Sequence, residues 1–241
     1  FKINLSNNKY RQIKSFNDSP ANAIIVNSTK KYDLPHKINL VGTIKFINRE
    51  NDWFDKFLDK GSRLELLNLH YMNYISKLKR SDSILIIEDW IKNNPYKKKY
   101  SWRYSWNSYA LSIRILNWID YILSIKNKNN KNESLTSIQY SCLEQLNYLS
   151  NNLEFDIRGN HIIKNVRSLL RGATYFSEKE SINWIKKSLR ILKVELDFQI
   201  LEDGMHFELS PSYHLIVLED FICIRRSLNF LKEKYPNKIS K

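Results

Sequence analysis

The stretch "RGNHIIKNVRSLLRGA", residues 158–173, has the two-sided pattern of an amphipathic helix. On a helix of about 3.6 residues per turn, its polar side chains share one face and its apolar side chains share another. The polar face comprises Asn160, Lys164, Arg167 and Arg171, and the apolar face comprises Ile163, Val166, Leu170 and Ala173. The pattern predicts a helix that packs through one side and carries cations on the other.

A helix beginning at Gly159 or Asn160 would direct free backbone N–H groups and the positive end of its dipole towards an anion. Asn160 and His161 would lie at that end of the helix. A solvated basic face and an N-cap role for Asn160 are the common alternatives. These residues by themselves leave the alternatives open.

From Gly61 onward, apolar side chains recur at helical spacing. Helices are predicted over 64–79, 81–94, 107–126, 134–155, 160–176, 178–200 and 213–234. The apolar stripe of the first helix comprises Leu64, Leu67, Tyr71, Tyr74 and Leu78. Short connections with Gly, Asn, Ser or Pro join the helices, and no strand pattern separates them. The sequence therefore predicts an all-α fold of helical hairpins packed antiparallel.

Residues 1–50 differ from the rest of the chain. The β-branched runs "NAIIVNS" (22–28) and "INLVGTIKFINR" (38–49) are separated by Pro35 and polar residues. We expect a short irregular or β-containing arm over 1–50, followed by the helical domain over 51–241.

The chain of 241 residues is 42% hydrophobic and 27% charged, which is typical of a globular protein. No apolar run reaches the roughly 20 residues of a membrane span. The net charge of +14 favours a polyanionic partner, such as nucleic acid, an acidic polysaccharide or a membrane surface. Coding bias towards Lys, Asn and Ile is the compositional alternative.

The stretch "WRYSWNSYALSIRILNWIDYI", residues 102–122, places several aromatic side chains at the entrance to a helix. They are Trp102, Tyr104, Trp106 and Tyr109. Aromatic faces beside an arginine suit sugar rings and nucleobases equally. We expect Trp118 and Tyr121 to belong to the core, and Trp102, Trp106 and Arg114 to be binding candidates.

The stretch "EDGMHFELSPSYH", residues 202–214, combines a turn with the start of the next helix. Ser210 and Pro211 are typical of an N-cap and a first-turn proline. Four polar side chains then converge, and a purely structural role is the alternative for them: His206, Glu208, Tyr213 and His214. No metal-ligand spacing, Gly-rich phosphate loop or GxSxG elbow occurs in the sequence.

The pairing of "RGNHIIKN" (158–165) with "EDGMHFELSPSYHLIVLEDF" (202–221) resembles the helical domain of heparinase II/III-type polysaccharide lyases, the heparinase III branch most of all. "SYALSIRILNWI" (108–119) is similar to the preceding helix of that family. The resemblance implies an incomplete α/α toroid. It also implies a secreted or periplasmic lyase that cuts uronate polysaccharides, such as heparan sulfate or alginate, by β-elimination.

By this resemblance, Asn160 and His161 correspond to the residues that neutralise the uronate carboxylate, and Tyr213 corresponds to the catalytic acid and base. Expected substrate contacts are Trp102, Trp106, Arg114, Lys164, His206, Glu208 and His214. The family's C-terminal β-sandwich, which often holds a metal, is expected to lie outside this chain. The chain starts with Phe1 and without a leader, and we expect it to be an excerpt of a longer enzyme that itself binds no cofactor.

A non-catalytic module that binds acidic glycans is the alternative function. The hypothesis of a nucleic-acid-binding helical protein is supported by charge and aromatic content alone, so no nucleic-acid partner is expected. The expected partner is an acidic uronate polysaccharide. The residues predict no oligomeric state.

Overall fold

The computed structural model describes residues 36–40, 43–47, 53, 63–126 and 133–239. Within these residues the chain forms two strands, eight α-helices and two short 3-10 turns, Asn73–Lys77 and Ser101–Arg103. The strands are β1 (His36–Leu40) and β2 (Thr43–Ile47). The helices are α1 (Arg63–Tyr71), α2 (Arg80–Asn93), α3 (Ser108–Lys126), α4 (Glu133–Asn151), α5 (Gly159–Tyr175), α6 (Glu178–Gln199), α7 (Pro211–Lys234) and α8 (Pro236–Ile239).

The two strands form an antiparallel hairpin, with His36 opposite Ile47 and Leu40 opposite Thr43. The short strands expected within 38–49 are therefore confirmed. The other expected run, residues 22–28, and the expected domain boundary after residue 50 lie outside the described residues.

The first predicted helix, over 64–79, is interrupted at Met72. This residue adopts a left-handed conformation (φ 56°) between α1 and the 3-10 turn. Leu66 and Leu69 of α1 are buried, whereas Leu64 is 50% exposed. The continuous apolar stripe that we expected is wrong here, because the left-handed, buried Met72 ends α1 and interrupts the helical spacing of the stripe.

Helix α5 occupies the centre of the fold and packs against α3, α4, α6 and α7. Its predicted apolar face is confirmed: Ile163, Val166, Leu170 and Ala173 have no exposed surface. Gly172 allows the close approach of α4, since a Cβ at this position would lie 2.6 Å from a methyl group of Leu146.

Helices α3, α5 and α7 run parallel to one another. Between α3 and α5, Asn165 donates to Ser112 (3.0 Å) and Arg171 donates to Asp120 further along both helices (2.5 Å). Between α5 and α7, contacts likewise advance from Lys164 with Asp220 to the end of α5, where Lys234 donates to the Phe176 carbonyl. The N-terminal ends of these three helices therefore meet at one end of the fold.

The basic face of α5 binds acidic residues of its neighbours. Lys164 Nζ and Arg167 Nη1 both donate to Oδ1 of Asp220 on α7, each at 2.6 Å. Asp220 is fully buried, and Arg171 pairs with Asp120 on α3. A freely solvated basic face is thus the wrong alternative, since these cations join α5 to α3 and α7.

Arg114 lies fully buried in the core. Its guanidinium donates to the Gln145 side chain (2.8 Å) and to the carbonyl oxygens of His70 (3.0 Å) and Ser105 (2.8 Å). Its planar face stacks on Trp90, 3.9 Å from the ring centroid. The expectation that Arg114 contacts substrate is wrong for this structure, because the side chain has no exposed surface and its donors bind protein groups.

Composition predicted no membrane span, and none of the helices in the described residues is long and apolar enough to be one. Both cysteines are free thiols: Cys142 is buried in the core, and Cys223 is partly exposed on α7. Burial raises the pKa of the Cys142 thiol.

We expect Arg114→Ala to lower the free energy of unfolding by about 3 kcal/mol or more, because three buried acceptors lose their donor. Arg114→Lys should recover little of this loss, since an ammonium group cannot reproduce the planar fork. Urea unfolding measures both changes. The exposed Arg190→Ala on α6 is the control and should change stability by less than about 0.5 kcal/mol. An equally small effect of Arg114→Ala would contradict the structural role.

Candidate active site

The first turns of three parallel helices bring the predicted catalytic residues together. Tyr109 lies in the first turn of α3, Asn160 and His161 in that of α5, and Tyr213 in that of α7. The start of α7 at Pro211 confirms the predicted first-turn proline. Each helix start carries a partial positive charge. This end of the fold therefore suits an anionic ligand.

Tyr109 connects the other three residues. Its ring packs against the His161 imidazole with 4.3 Å between centroids, and its hydroxyl is hydrogen-bonded with the Asn160 side chain. Its hydroxyl also interacts electrostatically with that of Tyr213. Burial, with the nearby carboxylates Asp220 and Glu154, raises the pKa of Tyr109 to about 12. Tyr109 is therefore a neutral phenol at pH 7.

Glu154 orients His161. One carboxylate oxygen of this buried residue lies 3.2 Å from His161 Nδ1, and the other accepts from Asn165 Nδ2 (3.1 Å). Asn165 in turn accepts from the Glu154 backbone N–H (3.0 Å). A proton on Nδ1 would point at Glu154, which leaves Nε2 for a ligand. His161 keeps 31% of its side chain exposed, so the imidazole is accessible.

The chain enters α5 through two residues with positive φ, Arg158 (57°) and Gly159 (51°). The non-glycine Arg158 conformation is strained, and such a conformation typically costs about 1–3 kcal/mol. Two contacts hold it: Arg158 donates to Glu195 (2.9 Å) and stacks on Phe198 at 3.9 Å from the ring centroid. By holding the backbone at Arg158, these contacts fix the direction in which the Asn160 side chain projects from the first turn of α5.

Gln199 joins the start of α5 to the 202–214 stretch. Its fully buried amide donates to the Gly159 carbonyl (3.1 Å) and to Glu195 (2.7 Å), and its oxygen lies 3.0 Å from His206 Nε2. His214 Nδ1 then accepts from the His206 backbone N–H (3.3 Å). One amide thus connects both sequence motifs.

Glu208 lies at the N-terminal end of α5. A Cβ on Gly159 would lie 2.7 Å from its Oε1, so the carboxylate approaches the Gly159 backbone closely. This placement is favourable for a negative charge at a helix N-terminus. Its side chain is exposed. Glu208 therefore borders the site, and its expected contact with substrate stays a prediction.

Three other expected substrate contacts have structural partners. Lys164 is bonded to Asp220, and His206 is fully buried against Gln199. Trp106 is only 2% exposed, and its indole N–H donates to the Asn94 carbonyl (2.7 Å). Direct substrate contact by Lys164 and His206 is wrong for this structure, because the Lys164 ammonium is bonded to Asp220 and the His206 side chain has no exposed surface.

Two of the expected contacts remain accessible. Trp102 is 59% exposed, and His214 is partly exposed in the first turn of α7. The Nδ1 of His214 accepts from the His206 backbone N–H, while the rest of the ring is partly exposed. Their predicted contact with substrate stays a prediction.

Sequence reasoning missed three residues of this site. Tyr109 was visible as one of the aromatic residues before "ALSIRI", but its spacing gave no reason to prefer it over its neighbours. Glu154 and Gln199 belong to no motif, and only the packing of α5 against its neighbours brings them to the site. Among the residues that the structure describes, no three His, Cys, Asp or Glu side chains converge in a metal-binding arrangement.

The sequence model of the family described as "Heparinase II/III N-terminus" matches residues 69–239, which includes the starts of α3, α5 and α7. The chain belongs to this heparinase II/III family. The matched region contains both stretches that carry the resemblance, "RGNHIIKN" (158–165) and "EDGMHFELSPSYHLIVLEDF" (202–221).

Curated relatives of this heparinase II/III chain are named heparin-sulfate lyases. That of Bacteroides thetaiotaomicron is 28% identical over 158 residues, covering 64% of this chain and 22% of the relative. That of Pedobacter heparinus is 34% identical over 80 residues, covering 33% of this chain and 12% of the relative. The chain therefore spans about a fifth of the length of the first relative and less of the second.

Solved structures support the same fold. The crystal structure of heparinase III superposes with a TM-score of 0.63 and 25% identity, covering 79% of this chain and 30% of that chain. Heparan sulfate lyase HepC from Pedobacter heparinus superposes with a TM-score of 0.60 and 19% identity, covering 85% of this chain and 35% of that chain. The predicted all-α, toroid-type fold is confirmed.

We expect Gln199→Glu to separate the two motifs, because a carboxylate cannot donate to Gly159 and would repel Glu195. The loss should be about 3 kcal/mol of unfolding free energy, with faster amide hydrogen exchange in residues 200–210. The exposed Asn151→Asp on α4 makes the same chemical change and should leave both unaltered. Unchanged exchange in Gln199→Glu would show that this amide does not hold the loop.

The buried histidines predict acid sensitivity. Burial lowers the pKa of His206 from its ordinary value of 6.5, and burial likewise lowers that of His70. The unfolded chain therefore binds more protons than the folded protein just below this value, so stability is lost as pH falls below about 6.5. Urea unfolding between about pH 7 and pH 5 should show a shallower loss in His206→Gln. An identical pH dependence would exclude His206 as a contributor.

Proposed function

We propose that this chain carries part of the active site of a polysaccharide lyase that cleaves uronate-containing acidic polysaccharides by β-elimination. The observation that carries the proposal is the convergence of Asn160, His161 and Tyr213 around Tyr109, at the starts of three parallel helices. Family membership and the names of the relatives support the reaction class. A heparan sulfate-type substrate agrees with those names better than alginate does.

The first requirement of the reaction is to make the C5 proton of a uronate acidic. The adjacent carboxylate is negative, and removal of the proton places further charge on it. In our proposal, the Asn160 amide donates to this carboxylate, and His161 donates to it through Nε2 as an imidazolium whose Nδ1–H faces Glu154. Both donors stabilise the enolate-like state. One such donor typically contributes about 3 kcal/mol. The positive ends of the helices add to this stabilisation.

The second requirement is transfer of the proton and departure of the oxygen at C4. A base removes the C5 proton, the electron pair forms the C4=C5 double bond, and the C4–O bond breaks. Tyr213 then protonates the leaving oxygen as the acid. If Tyr213 starts as a phenolate, it can accept the C5 proton and deliver that same proton to the oxygen. With 43% of its surface exposed, Tyr213 is accessible to a polymer at this end of the fold.

Tyr213→Phe should lower the rate of formation of unsaturated uronate product by at least about 100-fold, because the ring keeps its shape but loses its proton. The ultraviolet absorbance of the new double bond measures this rate on heparan sulfate. Tyr140→Phe on α4 is the matched control and should retain activity. Full activity of Tyr213→Phe would exclude the proposed acid.

Asn160→Ala should lower the same rate by about 10²–10³-fold through loss of one donor to the carboxylate. Binding of heparan sulfate by the unaltered chain without any new absorbance would favour the alternative, a glycan-binding module. Cleavage of alginate with no cleavage of heparan sulfate would overturn the substrate preference but retain the reaction class.

A further inference from the structure

The connection between α2 and α3 exposes an unusual combination of side chains. Within "YKKKYSWR", residues 96–103, three aromatic side chains are exposed: Tyr96 (41%), Tyr100 (50%) and Trp102 (59%). Lys97, Lys98, Lys99 and Arg103 are exposed as well. We call residues 96–103 the basic-aromatic loop.

The cations of this loop lie beside its aromatic rings. Arg103 lies 4.8 Å from the ring centroid of Tyr100 and 5.3 Å from that of Trp102, and Lys99 lies 5.0 Å from the Tyr100 ring. No acidic residue occurs in the sequence between Asp89 and Asp120. The loop thus concentrates positive charge without a neighbouring carboxylate in its own segment.

The backbone of the loop is held by internal bonds. Ser101 donates to the Tyr96 carbonyl (2.8 Å), and the Trp106 backbone N–H donates to the Ser101 carbonyl (2.8 Å). The buried indole of Trp106 anchors the segment through its bond to Asn94. Because the loop is ordered in advance, a ligand would not bear the full entropic cost of arranging these side chains.

A pocket of about 440 Å³ adjoins the loop. Its lining residues are Tyr96, Trp106, Glu144, Asn147, Tyr148, Asn151 and Asn152. Three aromatic rings and three amides provide apolar faces and hydrogen-bonding groups, which is the chemistry of a sugar site. Glu144 is the acidic residue among the lining residues, and burial raises the pKa of its carboxyl group.

The loop and pocket lie at the same end of the fold as the candidate active site. The loop leads into the start of α3, where Tyr109 lies, and Asn152 follows α4 on the way to the start of α5. A bond from Ser108 to the Asn152 carbonyl connects these two segments. A polymer bound at Asn160 and Tyr213 can therefore extend across this surface.

We propose that the basic-aromatic loop and the adjoining pocket form a second binding site for an acidic polysaccharide chain, separate from the unit that is cleaved. Sugar faces would pack on the exposed rings and in the pocket, while Lys97, Lys99 and Arg103 bind sulfate or carboxylate groups of neighbouring units. The proposal rests on the proposed function, because it gives a polymer bound at the candidate active site a second point of attachment.

The test compares two triple variants that remove the same charge. The loop variant is Lys97→Gln, Lys99→Gln, Arg103→Gln, and the control is Lys179→Gln, Lys186→Gln, Arg190→Gln, whose residues are exposed on α6. Affinity for polymeric heparan sulfate is measured by titration at several salt concentrations, with neutral dextran as the uncharged probe. The loop variant should bind heparan sulfate about tenfold more weakly than the control variant and with a weaker salt dependence.

Trp102→Ala tests the contribution of the exposed aromatic rings to polymer binding without a change in charge. It should weaken polymer binding while leaving the salt dependence unchanged. The KM for polymer should rise in the loop variant, whereas kcat for a heparan sulfate tetrasaccharide should stay the same.

Equal polymer affinity of the two triple variants would overturn the second site. A loss of tetrasaccharide turnover equal to the loss on polymer would also overturn it, because the loop would then act on the cleaved unit. Loop-dependent binding by a chain that forms no unsaturated product would support the second site and reject the proposed reaction. The two proposals can therefore fail independently.

Discussion

The buried carboxylate of Asp220 controls the relation between α5 and α7. Lys164 and Arg167 both donate to one of its oxygens, which fixes the register of α5 against α7. A buried charge of this kind is tolerated only when it is paired, which makes the arrangement sensitive to any shift. That register brings Tyr213 to the end of the fold where Asn160 begins its helix.

The local structure around the site is strained and then held by polar contacts. Arg158 takes a conformation that non-glycine residues rarely adopt, and Glu195 and Phe198 retain it there. Gln199 connects this strained start to His206 in the following loop. The side chains proposed to act on substrate are therefore oriented by groups that a substrate would not touch, which is the usual requirement for a preorganised site.

Several polar residues that looked functional in the sequence proved to be structural. Arg114 joins α3 to its neighbours through buried carbonyl groups, and Lys164 joins α5 to α7. A helix-forming sequence shows which face a polar residue occupies but not whether an acceptor on another helix lies opposite. Glu154 illustrates the converse: it belongs to no motif, yet it orients His161.

Local sequence determined the helices, their approximate ends, the Pro211 helix start and the "GNH" and "SPxYH" pairing, because periodicity, turn residues and short motifs act over neighbouring residues. Only the tertiary structure decided which helix starts meet. It packed Tyr109 against His161 and buried Arg114, because these outcomes depend on contacts between residues far apart in the chain. The interruption of the first predicted helix at Met72 has the same origin, since the burial of this residue outweighs the helical pattern on both sides.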